Sequence, residues 1–419
     1  MLIAGDPSGD MLAAELVGAL REKVVAGSEH VSADVQPLRT ALAPRFFGAG
    51  GPKMVAAGVE QVFDLTQHSV IGFAEVLKNL GKFKRLFKQL LEVAIERQPD
   101  VIIGVDYGGF NLRFAKAIKD HVRAHRGAFK NWNPKIVQFV SPQVWASRAS
   151  RAYTLAENHD LLLSIFPFEK AWYAQRVPKL RVEFVGHPMV GRGLKSKVQS
   201  PKSAAVPCVV LLPGSRADEV RRHLPVVIDA FELLKRELPQ LNGLMVLPSN
   251  ESLAATVCWE FVRRLRIKLR LTQPLTFADA RAFVARYDPQ LRIQLSDLSD
   301  ALMKADLAIT KSGTVTMECA LHGVPAVVFY KTSWLTYFIG KQIITVKYLA
   351  MPNLIADEAI YPEFVQQTAT AENIAAAGLE LLRNDARRAA VQGKLVGVIA
   401  SLGQSGAPER AAAAILSLF

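Results

Sequence analysis

The stretch Ala305–Tyr330, ADLAITKSGTVTMECALHGVPAVVFY, contains the unit from which the rest of the chain is built. Leu307–Thr310 is a short apolar run that predicts a buried strand, and Val315–His322 predicts a helix. The polar Ser-Gly-Thr turn at 312–314 separates them. Because the first amides of a helix lack partners within it and carry the positive end of its dipole, this turn can hold an anion. A plain helix N-cap fits the same three residues equally well.

The same order of apolar run, polar turn and helix recurs along the chain. Cys208–Leu212 leads into a Pro-Gly-Ser-Arg turn, in which Arg216 can hold a phosphate bidentately. Two such turns in one half of the chain favour a phosphate site over two unrelated caps. In the other half, Leu2–Ala4 leads into the GDPSGD loop at 5–10, and Asp100–Asp106 (DVIIGVD) precedes a helix from Leu112.

This alternation predicts an α/β fold with two doubly wound, Rossmann-like domains that face a cleft. We expect the first domain at 1–190 and the second at 208–419. Residues 191–207 lack periodicity and are rich in Lys, Ser and Pro, which is typical of a linker. Asp106 ends a predicted parallel strand, where such sheets place their ligands, and is a candidate general base; a loop or N-cap carboxylate is the alternative.

Composition limits the kinds of partner. The 419 residues include 51 Lys and Arg against 38 Asp and Glu, a formal charge of +13. This excess predicts an anionic partner, which is nucleic acid, an acidic membrane surface or a phosphorylated substrate. The three cysteines have no CxxC spacing, which favours a reducing cytoplasm. No run approaches the roughly 18 to 20 apolar residues of a spanning helix, so the pattern predicts a soluble or peripheral protein.

Ser69–Glu96 reads as a basic amphipathic segment, with an apolar face beside a row of lysines. Such a segment suits the interface of an anionic bilayer. A helix packed on the sheet with a solvated lysine face would have the same pattern. The bilayer interpretation predicts membrane contact for six side chains: Ile71, Phe73, Val76, Leu77, Leu80 and Phe83.

The sequence gives little support for a metal site. His121 and His125 have the i, i+4 spacing of helical ligands, but they lack the glutamate of HExxH and lie in the basic run HVRAHR. The chain also lacks a DxD carboxylate pair at the predicted loops. We therefore predict neither a metal nor a cofactor, and stabilisation of a leaving diphosphate by arginine and helix amides.

Taken in order, eight motifs resemble the lipid-A-disaccharide synthase family across nearly the whole chain: AGDPSGD, GVDYGGFN, SPQVWA, FPFEKAWY, FVGHP, LLPGSRADE, SGTVTMECALHGVP, and MPNLIA with PEFVQQ. The resemblance implies an inverting, metal-independent glycosyltransferase of the GT-B fold. It joins UDP-2,3-diacylglucosamine to 2,3-diacylglucosamine 1-phosphate, giving the β-1,6-linked lipid A disaccharide 1-phosphate and UDP.

The resemblance also implies partners and a location. The partners are the two lipid-linked substrates and the anionic surface of the inner membrane, at its cytoplasmic face, with no nucleic acid. Structures of the family are dimers with exchanged C-terminal segments. A homodimer is therefore open here, and the last helices either pack back on their own chain or exchange between subunits.

Residue by residue, the resemblance makes Asp106 the base that deprotonates the attacking 6-hydroxyl, as a carboxylate with an unperturbed pKa. The implied donor and UDP residues are Gly214, Ser215, Arg216, Glu219, Ser312, Gly313, Thr314, Glu318, Asn353 and Gln366. The implied acceptor-side residues are Ser8, Gly9, Asp10, Asn111 and Gln143.

Three positions depart from the family pattern. Asp6 stands where Glu is more usual, Gly109 where many members have a second Asp, and Ser147 where a second Trp is common. Gly109 concentrates the role of base on Asp106, and Ser147 weakens any stacking role for its loop.

Two alternative functions remain at this point. Another UDP-N-acetylglucosamine enzyme of the GT-B fold, a cell-wall transferase or a 2-epimerase, would share the donor loops but not SPQVWA or GVDYGGFN. A basic membrane-binding or nucleic-acid-binding module would explain the charge of +13 but not the acids and phosphate loops at strand ends.

Overall fold

The computed structural model describes residues 1–28, 44–68, 80–127, 129, 131–191, 206–247, 253, 256–257, 259–261, 276–295 and 297–419. The chain divides into two compact units. The first unit is Met1–Arg192 with Leu402–Phe419, and the second is Gly193–Ser401. The change from first to second unit falls inside the expected linker at 191–207. Within the expected second domain, 208–419, the final segment Leu402–Phe419 groups with the first unit.

The first unit contains a seven-stranded parallel sheet. Its strands are β1 Leu2–Ala4, β2 Phe47–Gly50, β3 Glu60–Asp64, β4 Val101–Val105, β5 Lys135–Phe139, β6 Leu161–Ser164 and β7 Val182–Phe184. They lie in the order β3-β2-β1-β4-β5-β6-β7. The chain moves outward from β1 to β3, returns to place β4 beside β1, and moves outward again. This reversal between β1 and β4 is the switch point of the sheet.

Helices cover this sheet. Strands that are buried on both faces in this way are apolar along their whole length. Those that precede the linker are α1 Pro7–Ser28, α2 Pro52–Ala56, α3 Leu80–Arg97, α4 Gly108–His125, α5 Val144–Ser147, α6 Arg151–Asn158 and α7 Pro167–Arg176. β1 is only three residues long, but all three are buried and it pairs with neighbours on both sides. A short strand is sufficient there because its backbone is paired on both edges.

The second unit repeats the design with six parallel strands. They are β8 Cys208–Leu212, β9 Asn242–Leu247, β10 Leu291–Leu295, β11 Leu307–Lys311, β12 Ala326–Tyr330 and β13 Glu363–Val365. Their order is β10-β9-β8-β11-β12-β13, so the switch point lies between β8 and β11. The predicted strand at 307–310 is confirmed as β11, in the middle of this sheet.

The helices of the second unit that fall within the described residues again flank the sheet. They are α8 Ala217–Glu237, α9 Phe277–Tyr287, α10 Leu298–Lys304, α11 Val315–Leu321, α12 Trp334–Ile343, α13 Met351–Ala356, α14 Ala371–Arg383 and α15 Asp385–Ser401. None of the helices in this part of the chain or in the first unit, as far as the structure describes them, could span a bilayer.

The chain returns to the first unit through its last helix, α16 (Ala407–Leu416), which packs against α1. Arg410 fastens this return. Its Nε donates to the carbonyl of Val185 at 2.7 Å, and its Nη1 and Nη2 donate to the carbonyls of Ser405 and Gln404 at 2.7 and 2.6 Å. One guanidinium therefore joins the end of β7 to the turn before α16.

We expect Arg410→Ala to lower the free energy of unfolding of the first unit by about 2–4 kcal/mol, because three bonds to a charged donor are lost. Urea denaturation followed by circular dichroism measures this. Arg113→Ala removes an exposed arginine of the same unit and is the matched control. Equal stability of the two variants would contradict the role given to Arg410.

Candidate active site

The loops singled out in the sequence lie in pairs at the two switch points. In the first unit β1 pairs with β4, which brings residues 5–10 beside the loop that begins at Asp106. The loop expected at 5–10 is shorter than predicted, because residues 7–10 already form the first turn of α1. In the second unit β8 pairs with β11, which brings the Pro-Gly-Ser-Arg turn beside the Ser-Gly-Thr turn. Each unit therefore has its own candidate subsite at the carboxyl edge of its sheet.

The backbone of Asp106 is held in an unusual conformation. Asp106 and Tyr107 both have positive φ, 50° and 43°, in the left-handed region that non-glycine residues rarely adopt. The amide of Asp106 donates to the carbonyl of Phe139 at 2.8 Å. The carbonyl of Asp106 accepts from Asn111 Nδ2 at 2.8 Å and from Gln138 Nε2 at 2.9 Å. These bonds offset the conformational cost and fix the direction of the Asp106 side chain.

This geometry changes the interpretation of Asn111. Its amide is buried and bonded to the backbone of Asp106, so it positions the candidate base and does not reach outward to an acceptor. Gln138 shares that function and was not identified from the sequence. Its place on an apolar strand, one residue before Phe139, is the only signal that could have indicated a structural amide.

The expected unperturbed pKa of Asp106 is not what the structure gives. Burial raises the pKa of the Asp106 carboxyl to about 6, with a smaller contribution from the Asp6 carboxylate, while the amide of Tyr107 lowers it. Asp6 is itself held in place, because its Oδ1 accepts from the amide of Gly9 at 2.8 Å. At neutral pH Asp106 is still mostly ionised, and it is a stronger base than a solvated aspartate.

Asp10, expected on the acceptor side, has a structural role instead. Its carboxylate is buried and accepts from the amides of Gly51, Lys53 and Met54 at 2.7, 2.9 and 3.1 Å. These amides open α2 and would otherwise lack partners. Of the expected acceptor-side residues in this loop, Ser8 is exposed and Gly9 is buried.

The SPQVWA loop follows β5 and leaves the expected acceptor residue Gln143 exposed. Beneath it, Glu169 accepts from Trp145 Nε1 at 2.9 Å and from the amide of Phe166 at 3.1 Å. Burial raises the pKa of Glu169 to about 7, although these donors favour its ionised form. The buried carboxylate therefore anchors the loop that carries Gln143. FPFEKAWY contained this residue, but its spacing gave no indication of the contact.

In the second unit, the two anion-ready turns have the same backbone feature. Gly214 and Gly313 each come second after their strand, and each has φ of 143°. A side chain would be strained at that φ, and at Gly214 its Cβ would also lie 2.8 Å from Cβ of Glu219. The two turns therefore have the same backbone geometry at neighbouring strand ends, although their sequences differ.

Three charged side chains meet beside these turns. Glu219 Oε1 lies 3.2 Å from Arg216 Nη1 and 3.1 Å from Lys311 Nζ, and Glu219 Oε2 accepts from the amide of Ser215 at 3.2 Å. Burial of Glu219 is the largest single influence and favours its neutral form, but the charge and hydrogen bond of Lys311, the Ser215 amide and Arg216 together lower its pKa. Lys311 was missed in the sequence because it ends β11 and looked like the boundary of a strand. An incoming anion would meet two cations already held together by one carboxylate.

The remaining residues of the SGT stretch line the same edge. Ser312 Oγ donates to the carbonyl of Leu349 at 2.8 Å. Thr314 stands at the N-cap of α11 but its side chain makes no capping bond, so the plain-cap alternative does not account for it. Glu318 is half-buried, and burial raises its pKa.

Two expected donor residues, Asn353 and Gln366, are buried organisers of this edge. Asn353 accepts from the amide of Tyr361 at 2.8 Å and donates to Glu363 Oε1 at 2.7 Å. Gln366 Oε1 accepts from the amide of Thr332 at 3.1 Å, and its Nε2 donates to the carbonyl of the same residue at 3.0 Å. Their side chains are committed to the protein, so direct contact with a donor is not what this arrangement provides.

Most of the expected membrane-contact residues lie outside the part of the chain that the structure describes. Ile71, Phe73, Val76 and Leu77 lie outside the described residues, and so does the side chain of Leu80. Phe83, on α3, is half-buried. Membrane contact by this segment therefore stays a prediction.

A cavity of about 810 Å³ lies elsewhere in the first unit, lined in part by Met1, Glu60, Arg97 and Phe419. Met1 and Glu60 stand at the amino ends of β1 and β3, opposite the edge that carries Asp106. Because the cavity lies at the opposite edge of the sheet, it has no part in the chemistry of Asp106, despite its volume.

The two units, each a parallel sheet with a switch point at its carboxyl edge, define the class of protein by its fold, which is of the GT-B type. A solved structure described as the glycotransferase of kitacinnamycin aligns with a TM-score of 0.56 at 17% identity, covering 99% of this chain and 97% of its own. A putative UDP-N-acetylglucosamine 2-epimerase from Listeria monocytogenes aligns with a TM-score of 0.55 at 14% identity, covering 100% and 95%. At such identities the likeness concerns the fold alone.

Sequence comparison identifies the family within this class. The model of the lipid-A-disaccharide synthetase family matches residues 1–260 and 264–416, so the chain belongs to that family and is a hexosyltransferase. The lipid-A-disaccharide synthase of Nitrosococcus oceani is 34% identical over 96% of this chain and 92% of its own length. That of Geobacter sulfurreducens is 31% identical over 100% and 96%. Membership of this family favours lipid-A-disaccharide synthesis over the epimerase, cell-wall transferase and binding-module alternatives.

We expect Asp6→Asn to shift the acid limb of the pH–rate profile to lower pH, by about half a unit, because the carboxylate that raises the pKa of Asp106 is removed. Asparagine keeps the oxygen that accepts from Gly9. The measurement is kcat/KM for transfer between pH 5 and 8, with exposed Asp120→Asn as a control of equal charge. A limb that stays in place or moves to higher pH would contradict the coupling.

Proposed function

We propose that this chain condenses UDP-2,3-diacylglucosamine with 2,3-diacylglucosamine 1-phosphate, forming the β-1,6-linked lipid A disaccharide 1-phosphate and releasing UDP. The family match over nearly the whole chain carries the assignment of substrates, and the position of Asp106 at the switch point of the first sheet carries the assignment of the base. Burial raises the pKa of Asp106 to about 6, so its carboxylate can accept a proton near neutral pH.

The proposed reaction begins at Asp106. Its carboxylate removes the proton of the acceptor 6-hydroxyl, and the oxygen attacks the anomeric carbon of the donor from the face opposite the diphosphate. The bond from that carbon to the diphosphate oxygen breaks, and UDP leaves with the electron pair. The configuration at the anomeric carbon is therefore inverted.

The leaving group develops charge on its diphosphate, and the second unit supplies the complement. Arg216, Lys311 and the amides of the two turns would hold that charge. Glu219 is the counter-ion of both cations. An arriving diphosphate would replace the Glu219 carboxylate as the partner of Arg216 and Lys311.

Both substrates carry acyl chains, so we propose that the enzyme works as a peripheral protein at the cytoplasmic face of the inner membrane. The basic amphipathic segment at 69–96 supports this, since its described part, α3, exposes Lys82, Lys84 and Lys88. A homodimer is part of the same proposal, by analogy with the family.

We expect Asp106→Asn to reduce disaccharide formation by at least about 10²-fold, because the proton acceptor is lost while the shape of the side chain is kept. Product is measured by mass spectrometry after incubation with the two lipid substrates. UDP affinity should equal that of the wild type, and Asp120→Asn should retain activity. Wild-type turnover by Asp106→Asn would exclude Asp106 as the base.

We expect Arg216→Ala and Lys311→Ala each to weaken UDP binding by about tenfold or more, because each loses a charge-assisted contact with the diphosphate. Calorimetric titration with UDP measures the affinity. The control is Arg221→Ala, because Arg221 is exposed on α8, the helix that follows the turn of Arg216. If Arg216→Ala and Lys311→Ala bound UDP as tightly as Arg221→Ala and the wild type do, the proposed diphosphate site would be wrong.

A further inference from the structure

Helix α12 exposes a concentrated apolar surface. Trp334, Phe338 and Ile339 are 53%, 60% and 52% exposed, and Ile344, just beyond the helix, is 45% exposed. Among the described residues, no other stretch gathers exposed large apolar side chains so closely. Singly exposed apolar residues are common on proteins, but a contiguous group marks a surface that another body covers.

The two exposed rings, Trp334 and Phe338, form a cluster with the half-buried Tyr337. The ring centroids of Trp334 and Phe338 lie 6.0 Å apart, and those of Tyr337 and Phe338 lie 5.9 Å apart. Trp334 and Phe338 are one helical turn apart and so share a face. Tryptophan and tyrosine, which combine an apolar body with a polar edge, are the residues that favour the boundary between lipid and water.

The charged side chains along this segment, up to Ala356, have a single sign. Residues 331–356 contain Lys331, Lys341 and Lys347 and no Asp or Glu. Lys341 follows Phe338 by three positions and lies on the same side of the helix, and both Lys341 and Lys347 are exposed. Lysines that flank exposed aromatic rings complement the phosphates of an anionic bilayer, into which the rings can insert.

The position of α12 connects this surface with the nucleotide edge. Only residues 331–333 separate the carboxyl end of β12 from α12, and β12 is the neighbour of β11, which carries the Ser-Gly-Thr turn. After α12 the chain returns to that turn, where Ser312 Oγ donates to the carbonyl of Leu349. The helix therefore stands on the same edge of the sheet as the anion-binding turns.

We propose that α12 and the residues up to Lys347 form a second membrane-docking surface, carried by the second unit and directed at anionic phospholipid. The surface is separate from the segment at 69–96. This role rests on the proposed function: the docking surface would keep the nucleotide edge at the bilayer in which the acyl chains of the donor remain.

The first test is vesicle binding by Phe338→Ser/Ile339→Ser. The variant should bind vesicles of phosphatidylcholine with phosphatidylglycerol about tenfold or more weakly than the wild type, because two inserting side chains are lost. Val396→Ser/Met303→Ser changes two exposed apolar residues elsewhere in the second unit and should bind as the wild type does. Lys341→Gln/Lys347→Gln should lose the preference for these vesicles over pure phosphatidylcholine.

The second test uses Trp334 as a local probe. Adding anionic vesicles should shift its fluorescence to shorter wavelength, and the difference between wild type and Trp334→Phe isolates this signal from the other tryptophans. Wild-type binding by Phe338→Ser/Ile339→Ser, or an unchanged Trp334 signal, would overturn the proposal and leave binding to other segments. So would a wild-type dimer that this double variant converts to monomer without any change in vesicle binding, because a second copy would then cover α12.

The outcome is separable from the proposed catalytic role. Asp106→Asn should bind vesicles as the wild type does, since Asp106 belongs to the other unit. Vesicle binding lost in the α12 variant, with no transfer by the wild type, would contradict the catalytic proposal alone. Transfer by the wild type with vesicle binding intact in the α12 variant would contradict the docking surface alone.

Discussion

The pairing of β1 with β4, and of β8 with β11, is the constraint on which both subsites depend. In a parallel sheet every strand ends at the same edge, but loops from neighbouring strands normally lead their helices to the same side. Where the strand order reverses, the two loops lead to opposite sides and leave a crevice between them. The short strand β1 can occupy the centre of its sheet because neighbours on both edges satisfy its backbone.

Electrostatics at the two edges is arranged in opposite ways. In the first unit, Asp106 is partly desolvated beside another acid, which raises its pKa and its basicity. In the second, Glu219 lies between Arg216 and Lys311 and keeps two cations together. One edge is prepared to gain a proton and the other to hold an anion. A transfer that needs a base and an anionic leaving group uses both.

Much of the polar character of the motifs serves to position other groups. Asp10, Asn111, Asn353 and Gln366 looked like ligand contacts in the sequence, yet each is buried and bonded to backbone. Buried polar groups must be paired, so a loop that presents one reactive side chain needs several others to satisfy its backbone. A motif by itself does not distinguish the two kinds, because both sit at strand ends.

The sequence by itself determined the α/β class, most strands, the turns that lie at the sheet edges, the candidate base Asp106 and the family. These follow from local periodicity, from the turn-forming residues and from the order of motifs along the chain. Only the tertiary structure decided which loops are neighbours and that Leu402–Phe419 returns to the first unit. It also decided that Lys311, Gln138 and Glu169 contact the candidate loops. The physical reason is that pairing, burial and charge contact join residues far apart in the chain, and these contacts decide which polar groups are left to act.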